Sequence, residues 1–190
     1  DPGQIEPFES ACGGIFMLRR EVYEAVGGFD EELFLYHEDH DLSWRIRLAG
    51  WKLVVTTKAI MYHHYKFNKG VLKYYFSEKN SLYLLLKNME IKTLALIFPA
   101  LIIVEFSQWF HASIHKWFLL KMKSYIEILI LLPRILAKRK KQKHLRKVSD
   151  KEITRIYQGS LAVSGIKNPL LNYLLSPMLN VYWKMIRHLI

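Results

Sequence analysis

Residues 36–45, Y-H-E-D-H-D-L-S-W-R, place a dense group of acidic and imidazole side chains between aromatic residues. Glu38 and Asp39, the acidic pair, are followed directly by His40 and Asp41. Carboxylates at this density repel one another, so a folded chain keeps them where a cation or a chemical step uses them. Any fold of this chain must therefore either present these carboxylates to a partner or neutralise them internally.

The residues that follow predict a short helix. Leu42, Ile46 and Ala49 recur at helical spacing. Gly50 comes next, where a helix would end. The acidic pair would then lie at or just before the first turn, where free backbone N–H groups and the helix dipole favour ionised carboxylates.

Structural roles are the alternative for two of these acids. Asp39 could serve only as a helix N-cap, a common position for aspartate. Asp41 and Arg45 are four residues apart and can pair along one helix face. Such pairs are ordinary on protein surfaces, so this one could be structural and not catalytic.

Shorter patterns predict the neighbouring elements. An apolar run at 15–18, which follows Gly13 and Gly14, predicts a buried strand. The two glycines would allow a close approach to the backbone, or else mark a strand-edge bulge. Residues 29–34 predict a loop whose aromatics pack while its acids face solvent. The other predicted elements are helices at 19–26 and 72–89 and strands at 52–56 and 59–63.

From residue 94 onward the composition changes. Apolar runs at 94–104 and 125–137 are followed at once by residues 138–147, which carry seven Lys or Arg and no acid. Spanning a bilayer takes about 20 apolar residues, so the first run is borderline for a span. An apolar segment with a polybasic exit is typical of attachment to the cytoplasmic side of a membrane, by spanning it or by lying in the interface. Nucleic acid is the other anionic partner that the basic run could bind.

The whole chain is strongly basic. Its 190 residues carry a formal net charge of +11, which favours an anionic partner. Cys12 is the single cysteine, so no disulfide can form within the chain, and this fits a reducing compartment. The sequence begins at Asp1 without a methionine, and we expect it to be a piece of a longer protein.

Four short segments form an ordered series along the chain. They read G-G-I-F-M-L-R-R, V-G-G-F-D-E-E-L-F-L-Y-H-E-D-H-D-L-S-W-R, A-G-W-K and A-I-M-Y-H-H. This series resembles the C-terminal half of a family 2 glycosyltransferase domain, of the bacterial rhamnosyltransferase-like group that builds cell-surface polysaccharides. A later segment, Y-Y-F-S-E-K-N-S-L-Y-L-L-L-K-N, resembles the helix that follows that domain. The resemblance covers about residues 10–90 with good specificity and 94–157 with low specificity.

The resemblance implies a partial GT-A domain, an α/β fold, followed by an α-helical membrane-associated region. It also implies transfer of a sugar from a nucleotide-sugar donor to an acceptor hydroxyl, with inversion at the anomeric carbon. Such a reaction needs a carboxylate opposite the departing diphosphate, to take the proton of the attacking hydroxyl. Asp39 matches this base, and Glu38 would shape its position and charge. Asp41 and Arg45 would be a supporting pair that binds substrate.

The resemblance further implies the remaining substrate and metal contacts. Gly13 and Gly14 would let the acceptor or the sugar approach the backbone. Departure of the diphosphate needs positive charge, usually from a divalent metal such as Mg²⁺ or Mn²⁺. A nucleotide-binding half that this sequence lacks would hold most of that metal's ligands. His63 is the candidate ligand here, with His64 as its alternative. The acids and histidines at 38–41 and 63–64 could instead form a self-contained metal site.

We therefore expect three parts: an acceptor-side half domain at 1–90, apolar membrane-associating helices at 91–137, and a basic run with an amphipathic helical tail at 138–190. The expected function is that of an inverting glycosyltransferase fragment, inactive alone, that serves cell-surface glycan synthesis. Its partners would be a nucleotide sugar, a lipid-linked saccharide or polysaccharide acceptor and anionic lipids at the cytoplasmic face of the membrane. The alternatives are a non-catalytic membrane-surface module derived from a transferase, or a basic nucleic-acid-binding tail.

Overall fold

The computed structural model describes residues 5–7, 15–56, 58–62, 64, 70–159 and 170–190. Over these ranges the chain is mainly helical, and its two short strands, β1 (Ile5–Pro7) and β2 (Val54–Thr56), pair antiparallel with Ile5 opposite Thr56. The α-helices are, in chain order, α1 (Arg20–Val26), α2 (Glu38–Leu48), α3 (Leu72–Asn88), α4 (Ile91–Ile114), α5 (Phe118–Leu145), α6 (Asp150–Thr154) and α7 (Ser176–Ile186).

Three helices predicted from local patterns are confirmed as α1, α2 and α3. Gly27 ends α1 because its φ of 82° lies in the left-handed region, which glycine enters without a steric penalty. The acidic pair forms the start of α2, as its position before the apolar repeat predicts. Gly50, with a φ of 85°, follows the end of that helix.

Helix α2 is buried on two sides. Leu42 and Ile46 pack against α1, while Trp44 and Leu48 pack against α3 and α6. A helix with apolar contacts on opposite sides cannot rotate or slide without losing one of them. The first turn of α2 therefore has a rigid base.

Two predicted strands are wrong. Residues 16–19 and 59–62 have no regular secondary structure, and Met17 and Tyr62 are 99% and 87% exposed. A strand is stable only where a neighbouring strand takes up its backbone hydrogen bonds; over the described ranges β1 and β2 form the one sheet, and Ile15 makes only an isolated bridge. The predicted strand at 52–56 is confirmed in part, as the shorter β2. Over the described ranges, the chain is thus mainly helical with one small sheet, and the predicted α/β fold is observed only in part.

In the loop between α1 and α2, an aromatic and an acidic side chain lie in the opposite environments from those predicted. Phe34 is 79% exposed, whereas the side chain of Asp30 is only 6% exposed. Asp30 is buried because Lys87 of α3 and Lys138 of α5 reach it and pair with its carboxylate. The prediction of packed aromatics and solvent-facing acids is therefore wrong at these two residues.

The two apolar runs become the long helices α4 and α5. Pro99 and Pro133 lie inside them without ending either helix. Helix α5 also continues through most of the basic run, so the expected boundary after residue 137 falls inside a continuous helix. By length and composition, α4 is the one helix in the described part of the chain that could cross a membrane.

A buried ion triad fixes α4 and α5 to α3. Lys121 is fully buried, and its Nζ lies 2.5 Å from Oε1 of Glu78 on α3 and 2.9 Å from Oε2 of Glu105 on α4. Removing either carboxylate would leave the buried ammonium partly uncompensated, so the triad holds the three helices together. Helix α7 is attached to α4 in turn, because the hydroxyl of Tyr182 donates to the carbonyl oxygen of Leu96 at 2.7 Å.

Candidate active site

The loop that leads into α2 has a strained backbone. Tyr36 and His37 both have a φ of 65°, a region that costs non-glycine residues about 1 kcal/mol or more each. The side-chain amide nitrogen of Asn80, on α3, lies 2.7 Å from the carbonyl oxygen of Leu33. It also lies 2.8 Å from the carbonyl oxygens of Leu35 and Tyr36. The buried Asn80 therefore clamps the strained loop and fixes the direction in which α2 begins.

The acidic pair stands directly after this clamp. Glu38 and Asp39 are half-buried, and Oδ1 of Asp39 accepts a hydrogen bond from the backbone N–H of His40 at 2.8 Å. Oε2 of Glu38 is buried and has no hydrogen-bond partner among the described residues. Neither side chain lines the clefts found at the two ends of α2. The pair is thus held in place at the first turn, and its catalytic role stays a prediction.

Two histidines stand beside the acidic pair. The Nδ1 atoms of His37 and His40 are 3.0 Å apart, so one ring donates to the other, and Nε2 of His37 is 3.3 Å from the Oγ of Ser77. Burial and the neighbouring His40 lower the pKa of His37 to about 4, against the opposing effect of Asp39. His37 is therefore neutral at neutral pH and fixed by two hydrogen-bonding contacts.

These histidines line a small cleft between α2 and α3. Its volume is about 200 Å³, below the range of about 300 to 1,000 Å³ that is usual for sites of drug-sized ligands. The cleft can hold a group smaller than a whole nucleotide sugar. Its lining residues are His37, His40, Trp44, Ser81, Leu84, Leu85 and Tyr157.

Beneath the acidic pair, Asp41 is fully buried in an ionic network. Its Oδ2 accepts from Nε of Arg45 at 2.8 Å, and its Oδ1 lies 2.6 Å from Nζ of Lys87 and accepts from the amide of Asn88 at 2.9 Å. Arg45 also donates to the carbonyl oxygen of Val26 at 2.6 Å. The predicted Asp41–Arg45 pair is confirmed, but it is buried and not on the surface. Helix α3 supplies the further partners that replace water around it.

Lys87 connects this network to Asp30. Its Nζ is 2.7 Å from Oδ2 of Asp30, whose Oδ1 lies 2.6 Å from Nζ of Lys138, and the hydroxyl of Tyr83 donates to the same carboxylate at 3.2 Å. Burial alone would raise the pKa of Asp30, but the two ammonium groups outweigh it and hold that pKa well below its ordinary range. One set of ion pairs therefore joins the loop before α2 to α2, α3 and α5.

The structure brings some predicted site residues together and leaves others undescribed. Asp41 and Arg45 lie on α2, two and six residues beyond Asp39, where they face protein partners. His64 is exposed. The predicted contacts Gly13, Gly14 and His63 lie outside the described residues. The substrate-binding and metal-binding roles of all these residues stay predictions.

The residues that position the acidic segment were missed in the sequence. Asn80, Lys87 and Asn88 are buried polar residues on the side of α3 that also buries Tyr83 and Leu84. A polar side chain in register with a buried stripe indicates an internal partner, and this signal was present. The partners are far away in the sequence: Leu33 is 47 residues from Asn80, and Asp30 is 57 residues from Lys87. A local sequence pattern cannot indicate partners at such a separation.

A metal site does not form within the described residues. No three His, Cys, Asp or Glu side chains in these ranges come together so that they could hold a metal ion. Asp41, one member of the predicted self-contained site, is instead paired with Arg45 and Lys87. The described residues by themselves therefore do not build that site, and His63, another of its predicted members, lies outside them.

Comparison with known proteins points to one class of enzyme. Residues 3–67 match the family described as the N-terminal domain of galactosyltransferase. The chain is 38% identical over 71 residues to an N-acetylglucosaminyl-diphospho-decaprenol L-rhamnosyltransferase of Mycobacterium tuberculosis, a match that covers 35% of this chain and 23% of that protein. It is 40% identical over 55 residues to the O-antigen biosynthesis protein RfbC of Myxococcus xanthus, over 29% of this chain and 4% of that protein. The chain thus spans less than a quarter of the length of either relative. No solved structure gives a significant match.

Proposed function

We propose that this chain, whose residues 3–67 are similar to a galactosyltransferase family, forms the acceptor side of an inverting, family 2 domain of GT-A type. The names of its relatives support a place in cell-wall or O-antigen polysaccharide biosynthesis. The donor would be a nucleotide sugar. The acceptor would be a lipid-linked saccharide, since the mycobacterial relative is named for a diphospho-decaprenol substrate.

Asp39 is the proposed general base. Its carboxylate takes the proton of the acceptor hydroxyl while that oxygen bonds to the anomeric carbon of the donor sugar. The bond from this carbon to the diphosphate breaks on the opposite face, and its electron pair leaves with the nucleotide diphosphate. The first turn of a helix suits this task because its backbone N–H groups and dipole favour an ionised carboxylate. Glu38 would shape the position and the local charge of the base.

The different environments of two aspartates in one helix support this assignment. Asp41 is fully buried and held by Arg45 and Lys87, so it stabilises the fold. Asp39 keeps a half-buried position at the clamped first turn, beside a cleft lined by His37 and His40. Of the two aspartates Asp39 is the more exposed, which supports it as the one that meets an acceptor hydroxyl.

The other substrate contacts complete the proposal. Gly13 and Gly14 would allow close approach of the acceptor or sugar, and Asp41 with Arg45 would support substrate binding from beneath. A divalent metal, Mg²⁺ or Mn²⁺, would neutralise charge on the departing diphosphate and would be held mainly by a nucleotide-binding half outside this chain. His63, or alternatively His64, would be the contact from this side.

The test is the Asp39→Asn substitution in the full-length protein, assayed with a nucleoside-diphosphate rhamnose and a lipid-linked acceptor. We expect kcat to fall by about 10² to 10⁴-fold, because the amide cannot accept the proton, while donor affinity stays within about twofold. Glu31→Gln is the matched control, since it neutralises an exposed acid in the preceding loop and should leave kcat unchanged. Normal turnover by Asp39→Asn would remove this residue from the mechanism.

We also propose that the chain associates with the cytoplasmic face of the cell membrane. Helix α4 has 24 residues, about 36 Å at 1.5 Å per residue, and it exposes a stripe of apolar side chains. These are Phe98, Ile102, Phe106, Phe110 and Ile114. Lys140, Lys141, Lys143 and Lys147 of the basic run are exposed and could meet anionic lipids. Because the Lys121 triad ties α4 to α3 and α5, we favour a helix that lies in the interface over one that crosses alone.

Vesicle flotation tests this association. We expect Phe106→Ser/Phe110→Ser to lower the affinity of the chain for vesicles roughly tenfold or more, because both rings would leave an apolar environment. Phe34→Ser is the control, since Phe34 is 79% exposed and lies outside the stripe. Binding to an oligonucleotide in preference to vesicles, with a steep salt dependence, would favour the nucleic-acid alternative.

A further inference from the structure

A larger cleft lies at the opposite end of α2 from the acidic pair. Its volume is about 780 Å³, within the range of about 300 to 1,000 Å³ that is usual for small-molecule sites. It opens between the end of α2, the residues of β2, helix α6 and the residues after α7. Five Lys or Arg line it, and Glu152 is the one acid among its lining residues. The basic residues are Arg47, Lys52, Lys151, Arg155 and Arg187, joined by His188.

Arg47 provides the most specific feature of this cleft. Its Nη2 donates to the carbonyl oxygen of Ile153 at 2.5 Å, and its guanidinium carbon lies 6.0 Å from the centre of the Tyr157 ring. Its Nη1 is buried and has no hydrogen-bond partner among the described residues. Buried donors are nearly always paired, so this guanidinium is fixed in position and lacks one acceptor. The fixed positive charge of Arg47 adds to the attraction that an anion in the cleft would meet.

The walls of the cleft are partly apolar. Trp51, Val54 and Ile156 line it and remain 41%, 59% and 42% exposed. A site for a fully hydrated inorganic ion would not need such walls. Basic groups together with exposed apolar side chains fit a ligand that carries both a phosphate and a hydrocarbon part.

Helix α7 extends this apolar surface. Met178, Val181 and Met185 recur at helical spacing on α7 and Leu189 follows the helix, and each is more than half exposed. The same helix is followed directly by Arg187 and His188, which line the cleft. Since Tyr182 ties α7 to α4, the stripe on α7 belongs to the same side-by-side helix pair as the apolar α4.

We propose that the basic cleft binds the phosphate headgroup of an anionic membrane lipid, with the acyl chains lying along the exposed stripe of α7. The guanidinium groups of Arg155 and Arg187 would bind the phosphate oxygens, since arginine pairs with phosphate through two parallel N–H donors, and Arg47 would contribute its fixed charge from the cleft wall. This inference rests on the proposed membrane association and not on sugar transfer.

Distance separates this site from the proposed transfer reaction. Arg47 is eight residues beyond Asp39 on α2, which is about 12 Å along the helix axis. The residues that line the cleft do not include any of the first turn of α2, so the cleft and Asp39 lie at opposite ends of the helix. The cleft therefore suits a lipid that anchors the protein better than it suits the reacting acceptor.

The experiment uses soluble dihexanoyl phosphatidylglycerol below its micellar concentration, titrated into the full chain by calorimetry. We expect Arg155→Gln/Arg187→Gln to weaken binding by about tenfold or more, since each basic residue contributes measurably to the binding of anionic lipid. Lys73→Gln/Lys123→Gln is the matched control, with the same loss of charge at exposed positions on α3 and α5 outside both the cleft and the basic run, and should change the affinity by less than about twofold.

Three further arms give the inference sharp outcomes. Glycerol 3-phosphate should bind more weakly than the short-chain lipid, and its binding should be lost in Arg155→Gln/Arg187→Gln. Dihexanoyl phosphatidylcholine should bind more weakly than dihexanoyl phosphatidylglycerol. Equal losses in both double variants would show diffuse attraction only and overturn the site, as would unchanged binding in the cleft variant. In the full-length protein, Arg155→Gln/Arg187→Gln should retain sugar transfer to a soluble acceptor, and Asp39→Asn should retain lipid binding, so failure of one proposal is distinguishable from failure of the other.

Discussion

The first turn of α2 and the network beneath it place two aspartates of one sequence motif in opposite environments. Asp39 is half-buried at the turn and accepts a backbone hydrogen bond from His40. Asp41, two residues later, is fully buried and bonded to Arg45 and Lys87. Successive helical residues are rotated by about 100°, so the two side chains leave the helix about 200° apart. Adjacent acids in a sequence can therefore have unrelated tasks, because the packing around the helix decides which one meets solvent.

The largest expected effect is the difference in unfolding free energy between substitutions of Asp41 and of Asp39. We expect Asp41→Ala to lower the free energy of unfolding by about 3 to 5 kcal/mol, because Arg45 and Lys87 would be left buried without their shared partner. Asp39→Ala should cost about 1 kcal/mol or less, since it removes one contact at a helix start. Urea unfolding of both variants measures the difference. Similar losses of unfolding free energy at the two positions would show that Asp39 and Asp41 do not differ in their contribution to stability.

Lys87→Met should have the next largest effect. We expect a loss of roughly 2 to 4 kcal/mol in unfolding free energy, below the Asp41→Ala value, because Asp41 keeps Arg45 and Asp30 keeps Lys138. Lys92→Met, at an exposed position on α4, is the matched control and should be close to neutral. If the two substitutions cost the same, Lys87 is not the link between the buried aspartates.

Acid should weaken the network through Asp30. Because the folded pKa of this carboxyl is lowered, its contribution to stability is present above its ordinary pKa of 3.8 and is lost as the pH falls below that value. We expect the unfolding free energy of Asp30→Asn to depend less steeply on pH below about 4 than that of the wild type. Glu31→Gln, which changes an exposed acid next in sequence, should leave the wild-type slope intact.

The smallest expected effect concerns His37, which directly precedes the acidic pair at the start of α2. Its folded pKa of about 4 lies below the ordinary 6.5, so the unfolded chain binds a proton first as the pH falls between these values. Stability from this residue is therefore full above 6.5 and declines towards 4. His37→Gln should flatten the decline in that window, measured by unfolding at a series of pH values, whereas His64→Gln at an exposed position should not. Identical slopes in all three proteins would contradict the burial of His37.

Local chemistry predicted the helical framework well. The spacing of Leu42 and Ile46 indicated α2, and Gly27 and Gly50 marked helix ends, because these features depend on residues within one or two turns. The four-residue spacing of Asp41 and Arg45 likewise predicted their ion pair. The predicted strands at 15–18 and 59–63 failed over their described residues, because a strand depends on a partner that is distant in sequence.

The sequence by itself determined where α1 and α2 end and that acids gather at the start of α2, since backbone capping and apolar periodicity act over a few residues. Only the tertiary structure decided which of those acids is buried, because that depends on Lys87 and Asn88 of α3 arriving beneath α2. It also decided that Asp30 turns inward while Phe34 stays exposed, through lysines contributed by α3 and α5. Burying a charge is favourable only where a partner is already in place, and the positions of those partners are fixed by packing across the whole fold.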